Sequence, residues 1–227
     1  MITHIFFELP GVLADPVRLR EGYPPHLGAV MAARYGGTPE LWADAYLHMR
    51  EDWDSYWADL NLKGDEPLSD LWEGMFRTTR ALFRLAKIPE PEKDELIAFS
   101  RVLPKLVYER FDALYPQVQP LLEKLHTDGV CLHVATYWTA AMARGLLTGG
   151  GVLTYFSEPV LGMDVTESFA KDYDVLALKV DAAPEACLIA DSDPLSLEQA
   201  RQIGMHPALV QSGDDLVKIM ALAVNPA

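Results

Sequence analysis

Ile5-Phe6-Phe7-Glu8-Leu9-Pro10-Gly11-Val12-Leu13 is the stretch on which the fold turns: an apolar run of strand character breaks on a single carboxylate and bends at a glycine. A lone charge closing such a run is costly unless it is used or solvated, so Glu8 marks a candidate site. The run it belongs to, Ile2 to Glu8, has two counterparts, Val130 to Thr136 and Ala186 to Asp191. Each is short and apolar and ends on a polar side chain. Such runs suit strands buried on both faces of a parallel sheet, with ligands bound beyond their carboxyl ends.

Helical patterns alternate with these strands. Tyr115 to Thr127 is amphipathic and closed by Asp128-Gly129, Thr139 to Leu147 ends in the glycines 149 to 151, and Pro194 to Ile203 stops at Gly204. Ala208 to Gln211 reads as a further strand and Asp214 to Ala223 as a closing helix. This βαβ order predicts a doubly wound α/β core. From about Asp15 to Asp112 the strands vanish, and Trp42, Tyr46, Met49, Trp53, Tyr56 and Trp57 recur at helical spacing. Pro24, Pro25, Pro39, Pro67, Pro89, Pro91 and Pro104 punctuate this insertion into four or five helices.

Half of the 227 residues are apolar, enough for a buried interior. The 19 basic and 33 acidic residues leave a net charge of −14, which disfavours nucleic acid and anionic membranes and makes any phosphate site a local one. Cys131 and Cys187 sit in apolar strand-like runs and read as packed thiols of a reducing cytoplasm. No basic-then-apolar leader opens the sequence, and no apolar run approaches the roughly 18 residues of a membrane helix.

Beyond the first stretch, Leu132-His133-Val134-Ala135-Thr136 ends in a hydroxyl, Lys171 stands ahead of the last acidic strand, and Leu188-Ile189-Ala190-Asp191-Ser192-Asp193-Pro194-Leu195-Ser196 carries a carboxylate after an apolar run. In order and over the whole chain these segments resemble the haloacid dehalogenase (HAD) superfamily. Its first motif is D-x-D-G-x-L or D-x-D-G-T-L after a strand, its second a Ser or Thr, its third a lysine and its fourth a pair of acidic residues. The resemblance implies a Rossmannoid core of residues 1–14 and 113–227, with a C1-type helical cap of residues 15–112 that closes over the cleft and chooses the substrate. It also implies catalytic roles for Glu8, Thr136, Lys171 and Asp191. Magnesium would be held by Glu8, the Pro10 carbonyl and Asp191. The second acidic position of the fourth motif falls on Leu195 or Ser196, and Asp172 replaces the proline that usually follows the lysine.

The first motif departs most. In the phosphatase branch its two aspartates attack phosphorus and protonate the leaving oxygen; here Glu8 and Pro10 stand in their places. One added methylene moves the carboxylate by roughly an ångström, a displacement that can cost about a hundredfold in rate. Pro10 has no side-chain proton, and a general acid contributes typically about 10²–10⁴-fold. In the dehalogenase branch the second aspartate is also replaced, but the attacking one is kept. The expectation is therefore a HAD-like protein with impaired or lost hydrolysis that binds a small anion or a partner. The alternatives are a slow hydrolase with Glu8 as nucleophile, acting on a small phosphorylated or halogenated substrate, and a structural protein forming a homodimer through its aromatic helices.

The remaining candidates have structural readings. Neither cysteine has a basic neighbour to lower its pKa. His133 alternates within a strand and reads as packed, while His26, His48 and His206 lack metal-ligand spacing. The aromatic stripe reads first as the seam of a helical bundle and second as the wall of a small-molecule pocket. Arg77, Arg80, Arg84 and Lys87 form a basic stripe, expected to be a solvated face, with an acidic partner or an anionic substrate as the alternative.

Overall fold

The computed structural model describes residues 1–166 and 173–224. Four strands, β1 (His4–Phe7), β2 (Cys131–Val134), β3 (Cys187–Asp191) and β4 (His206–Leu209), form one parallel sheet in the order β2-β1-β3-β4. The three runs read from sequence are its first three strands. They are shorter than the runs themselves because their ends open into the loops that carry the polar residues. An extended segment adds to the outer side of β2, with the Ser157 amide donating to the Leu132 carbonyl at 2.8 Å and the Leu161 amide to the Val134 carbonyl at 3.1 Å.

Between β1 and β2 the chain makes α1 (Pro16–Tyr35), α2 (Pro39–Glu51), α3 (Trp53–Trp57), α4 (Pro67–Ala86), α5 (Lys93–Tyr108) and α6 (Val118–Thr127). After β2 come α7 (Ala140–Gly149), α8 (Met163–Thr166) and α9 (Tyr173–Lys179), then α10 (Pro194–Gln202) behind β3 and α11 (Leu216–Val224) behind β4. Proline opens α1, α2, α4 and α10, where its missing N–H costs nothing, and Asp15, Thr38 and Asp193 cap three of these starts. Three of the seven prolines do not divide the insertion as the sequence pattern predicts. Pro24 and Pro25 lie inside α1 and Pro104 inside α5, where burial of Leu27, Val30, Met31, Leu103 and Val107 outweighs the lost hydrogen bonds. Two boundaries also move: the first helix behind the insertion begins at Val118 rather than Tyr115, and the last strand ends at Leu209 rather than Gln211.

Alternation along the strands builds two cores. Ile5, Phe7, Leu132, Val134, Leu188 and Ala190 face one apolar cluster, whereas Phe6, Cys187 and Ile189 face another on the opposite side with Leu176, Leu197 and Ala200. Each fully buried large side chain contributes about 1.5–3 kcal/mol relative to exposure, so this two-sided cover fixes the register. A third cluster, from Leu27 to Val107, lies wholly within the inserted helices and includes Trp42, Phe83 and Phe99. Trp42 and Met49 of the aromatic stripe are part of that seam, and Tyr46, Trp53 and Tyr56 pack against it. The inserted helices seat on the sheet layer through α5 and α7. A Cβ at Gly145 would come within 2.7 Å of the Lys105 carbonyl oxygen, so this close approach requires glycine.

The basic stripe pairs within the chain. Arg77 meets Asp59 at 2.6 Å and Glu73 at 2.7 Å, while Arg80 and Arg84 share Glu90 at 2.8 and 3.2 Å. Cys187 is buried as expected, but Cys131 is exposed: it opens an outer strand, at the end where the sheet runs out of cover. His133 is packed, stacked on Phe6 and His4, with its Nε2 3.0 Å from the Nδ1 of His4. Among the described residues, no helix is long and apolar enough to cross a membrane.

Candidate active site

Three strand ends deliver the candidate groups to one place. Phe7 pairs with Val134 on one side and Ala190 on the other, and the Glu8 amide continues the ladder with a 3.0 Å hydrogen bond to the Ala190 carbonyl. Glu8 and Asp191 therefore leave adjacent strands side by side, and Thr136 stands two residues past the end of β2. All three are buried, at 6 %, 2 % and 4 % exposure. Gly11 turns the chain out of β1 with a φ of +78°, a conformation side chains rarely adopt, and its α-carbon faces the Ser192 side chain across the cleft.

Each group is held by its loop. Glu8 Oε1 accepts the amide of Leu9 at 2.7 Å, so the longer side chain folds back on its own backbone. Thr136 Oγ1 accepts the Trp138 amide at 3.3 Å. Asp191 Oδ1 accepts the Asp193 amide at 3.0 Å, and Oδ2 accepts the Tyr173 hydroxyl at 3.3 Å. Burial above all, and then the charge of Asp191, push the Tyr173 phenol well above its ordinary pKa, which keeps it a donor. Tyr173 was not singled out from sequence; it reaches Asp191 from another element, and nothing in its local pattern signals that. The two positions left open for the second acidic residue are now separated. Leu195 is exposed, whereas Ser196 is buried, donates to Asp193 Oδ2 at 2.9 Å and lies 3.3 Å from the Tyr137 hydroxyl. Lys171, assigned by resemblance to the third motif, lies outside the described residues.

Glu8, the Pro10 carbonyl and Asp191 form an oxygen-only donor set. Among the described residues no group of three or more His, Cys, Asp or Glu side chains gathers as a metal site, so an all-protein cage is absent there. Magnesium does not need one, since it is commonly held by one or two carboxylates and keeps most of its waters. Glu8 and Asp191 are buried carboxylates on neighbouring strand ends, and a cation between them would lower their mutual repulsion. The donor chemistry fits the ion.

No protein-family model and no curated protein matches the sequence. Solved structures do match its shape. A defluorinating L-2-haloacid dehalogenase aligns over 92 % of this chain and 80 % of its own, with a TM-score of 0.58 and 13 % identity. The chain has the haloacid dehalogenase fold. The L-2-haloacid dehalogenase from Xanthobacter autotrophicus covers all of this chain and 85 % of its own at a TM-score of 0.53 and 17 % identity. A predicted phosphoglycolate phosphatase from Haemophilus somnus covers 96 % and 98 %, at 0.55 and 19 %. At such identities the likeness is one of fold, an α/β sheet with helices inserted after its first strand, and chemistry has to be argued from the residues.

Proposed function

We propose that this HAD-like chain binds a small anion in the cleft at the carboxyl end of its sheet and hydrolyses it slowly or not at all. The observation that carries the reading is the 2.7 Å hydrogen bond from the Leu9 amide to Glu8 Oε1. A nucleophile must present a lone pair to the reacting atom at about 3–3.5 Å. Here one carboxylate oxygen is turned back to the main chain, and the side chain is buried to 6 % exposure. Pro10 brings no proton to a leaving group. What remains is suited to holding: the Thr136 hydroxyl as a polar contact, Asp191 fixed by Tyr173, and Lys171 as the cation the resemblance supplies. Magnesium, when bound by Glu8, the Pro10 carbonyl and Asp191, would screen the carboxylates from an incoming anion. Residues 15–112 serve as a cap over this cleft, a division supported by the separate apolar cluster of the inserted helices.

Turnover of p-nitrophenyl phosphate with magnesium, and of 2-chloropropionate, tests the reading when wild type is compared with Glu8→Gln. The expected result is a rate at or near background that the substitution does not change. Robust turnover abolished by Glu8→Gln would overturn it in favour of a working hydrolase with Glu8 as nucleophile.

A further inference from the structure

The inserted helices enclose a cavity of about 320 Å³ whose walls none of Glu8, Thr136 or Asp191 reaches. It opens between α1, α2, α4 and α5 and is closed on the sheet side by Trp138 and Met142. Trp53 and Trp57, the end of the aromatic stripe, lie along one side with their rings stacked 5.6 Å apart. Gly74 makes room for that arrangement, since a Cβ there would meet the Trp57 ring at 2.3 Å. Tyr23 stands against Tyr46 and Tyr108, with ring centroids 5.1 Å away in both cases, and Tyr108 stacks on Trp138 at 4.8 Å. The stripe is thus both seam and wall.

The polar groups of this cavity are unusual for so acidic a chain. Among the described residues no Asp or Glu lines the cavity, while Arg50 does. The guanidinium of Arg50 sits 4.9 Å over the Trp53 ring, and Tyr46 lines the same cavity. Glu51, Asp52 and Asp54 border a separate surface hollow that Arg50 also lines. Among the described residues Arg50 makes no ion pair. Thr78 and Ser100 spend their hydroxyls on carbonyls of their own helices. The Tyr23 and Tyr108 hydroxyls have no hydrogen-bond partner among the described residues, and burial raises both pKa values, so both stay protonated. The buried indole Nε1 of Trp57 has no partner either. An unpaired buried donor is costly, and this one lines the same space as the two tyrosine hydroxyls.

We infer that this cavity is a binding site, distinct from the cleft, for a small aromatic monocarboxylic acid. The ring packs among the indoles, and the carboxylate takes donors from Arg50 and the tyrosine hydroxyls. The volume lies at the small end of ligand pockets, which fits a single ring with a short acidic arm. The apolar wall alone would accept any ring; the donor set, with no carboxylate among the described lining residues, selects the acid.

Calorimetric titration of the full chain with phenylacetate and with its neutral isostere phenylacetamide tests the inference, with tryptophan fluorescence as a second readout. Phenylacetate should bind saturably and more tightly than the amide. Arg50→Gln, at an exposed position, should weaken the acid about tenfold and leave the amide unchanged, the loss expected for one charge-assisted hydrogen bond. Leu71→Trp, which adds an indole to the cavity wall, should weaken both. No saturable binding of phenylacetate, an amide that binds as tightly, or an Arg50→Gln affinity equal to wild type would each overturn the inference. So would unchanged binding by a folded Leu71→Trp variant, which would place the ligand elsewhere.

Discussion

His133 should make the protein lose stability in mild acid, and the size of the loss can be worked from its surroundings. The ring is 3 % exposed, stacked on Phe6 and His4, and its Nδ1 has no hydrogen-bond partner. Desolvation first, and the neighbouring His4 second, lower its pKa from the ordinary 6.5 to about 4. Desolvation also lowers the His4 value. A folded pKa below the unfolded one means that acid protonates the unfolded chain first. The stabilising difference is complete well above the unfolded value, falls as pH drops through 6.5, and is lost once pH passes below the folded value. For His133 alone the loss is about 2 kcal/mol between about pH 7.5 and about pH 5, and about 3 kcal/mol in full. Urea denaturation across that range measures it, with His133→Leu as the comparison because it keeps the volume and removes the titration. Carboxylates and the histidines away from this stack contribute alike to both proteins, so the difference between their pH slopes isolates His133 together with its neighbour His4. Equal slopes would refute the reasoning.

Other consequences can be checked quickly. Gly145→Ala should destabilise the fold by about 2 kcal/mol, because the new methyl meets the backbone of α5 at 2.7 Å and helix backbones cannot yield as flexible side chains do; a lowered urea midpoint is the readout. In the native protein a thiol reagent such as Ellman's should label Cys131 and spare Cys187. Cys131 is exposed, while burial pushes the Cys187 thiol up to about 11 and its Sγ–H donates to the Ala183 carbonyl.

Much of this architecture is legible in the sequence because burial on both faces of a parallel sheet demands unbroken apolar runs, and Ile5–Phe7, Leu132–Val134 and Leu188–Ala190 have no other easy use. The helical insertion is equally plain from the spacing of its aromatic residues. What escapes the sequence depends on neighbours distant along the chain. Pro24 and Pro25 look like breaks until Leu27, Val30 and Met31 are seen buried in the bundle. Cys131 and Cys187 occupy similar runs, and only strand order separates the exposed one from the buried one. In the cleft, Glu8, Thr136 and Asp191 are located by strand ends, a local signal. Tyr173 is not, since its tie to Asp191 joins two elements. The cavity is half legible: Trp53 and Trp57 announce an aromatic face, but the gathering of Tyr23, Arg50 and Tyr108 around it is a product of the packing of three different helices.

The claim at the centre of this account is that the fold is intact and the first-strand chemistry is what has been altered. Replacing both residues at once, Glu8→Asp with Pro10→Asp, shortens the side chain that folds onto Leu9 and restores a proton donor two residues on. Turnover of p-nitrophenyl phosphate with magnesium by that double variant should rise at least about a hundredfold over wild type. A folded double variant no more active than wild type would contradict the account.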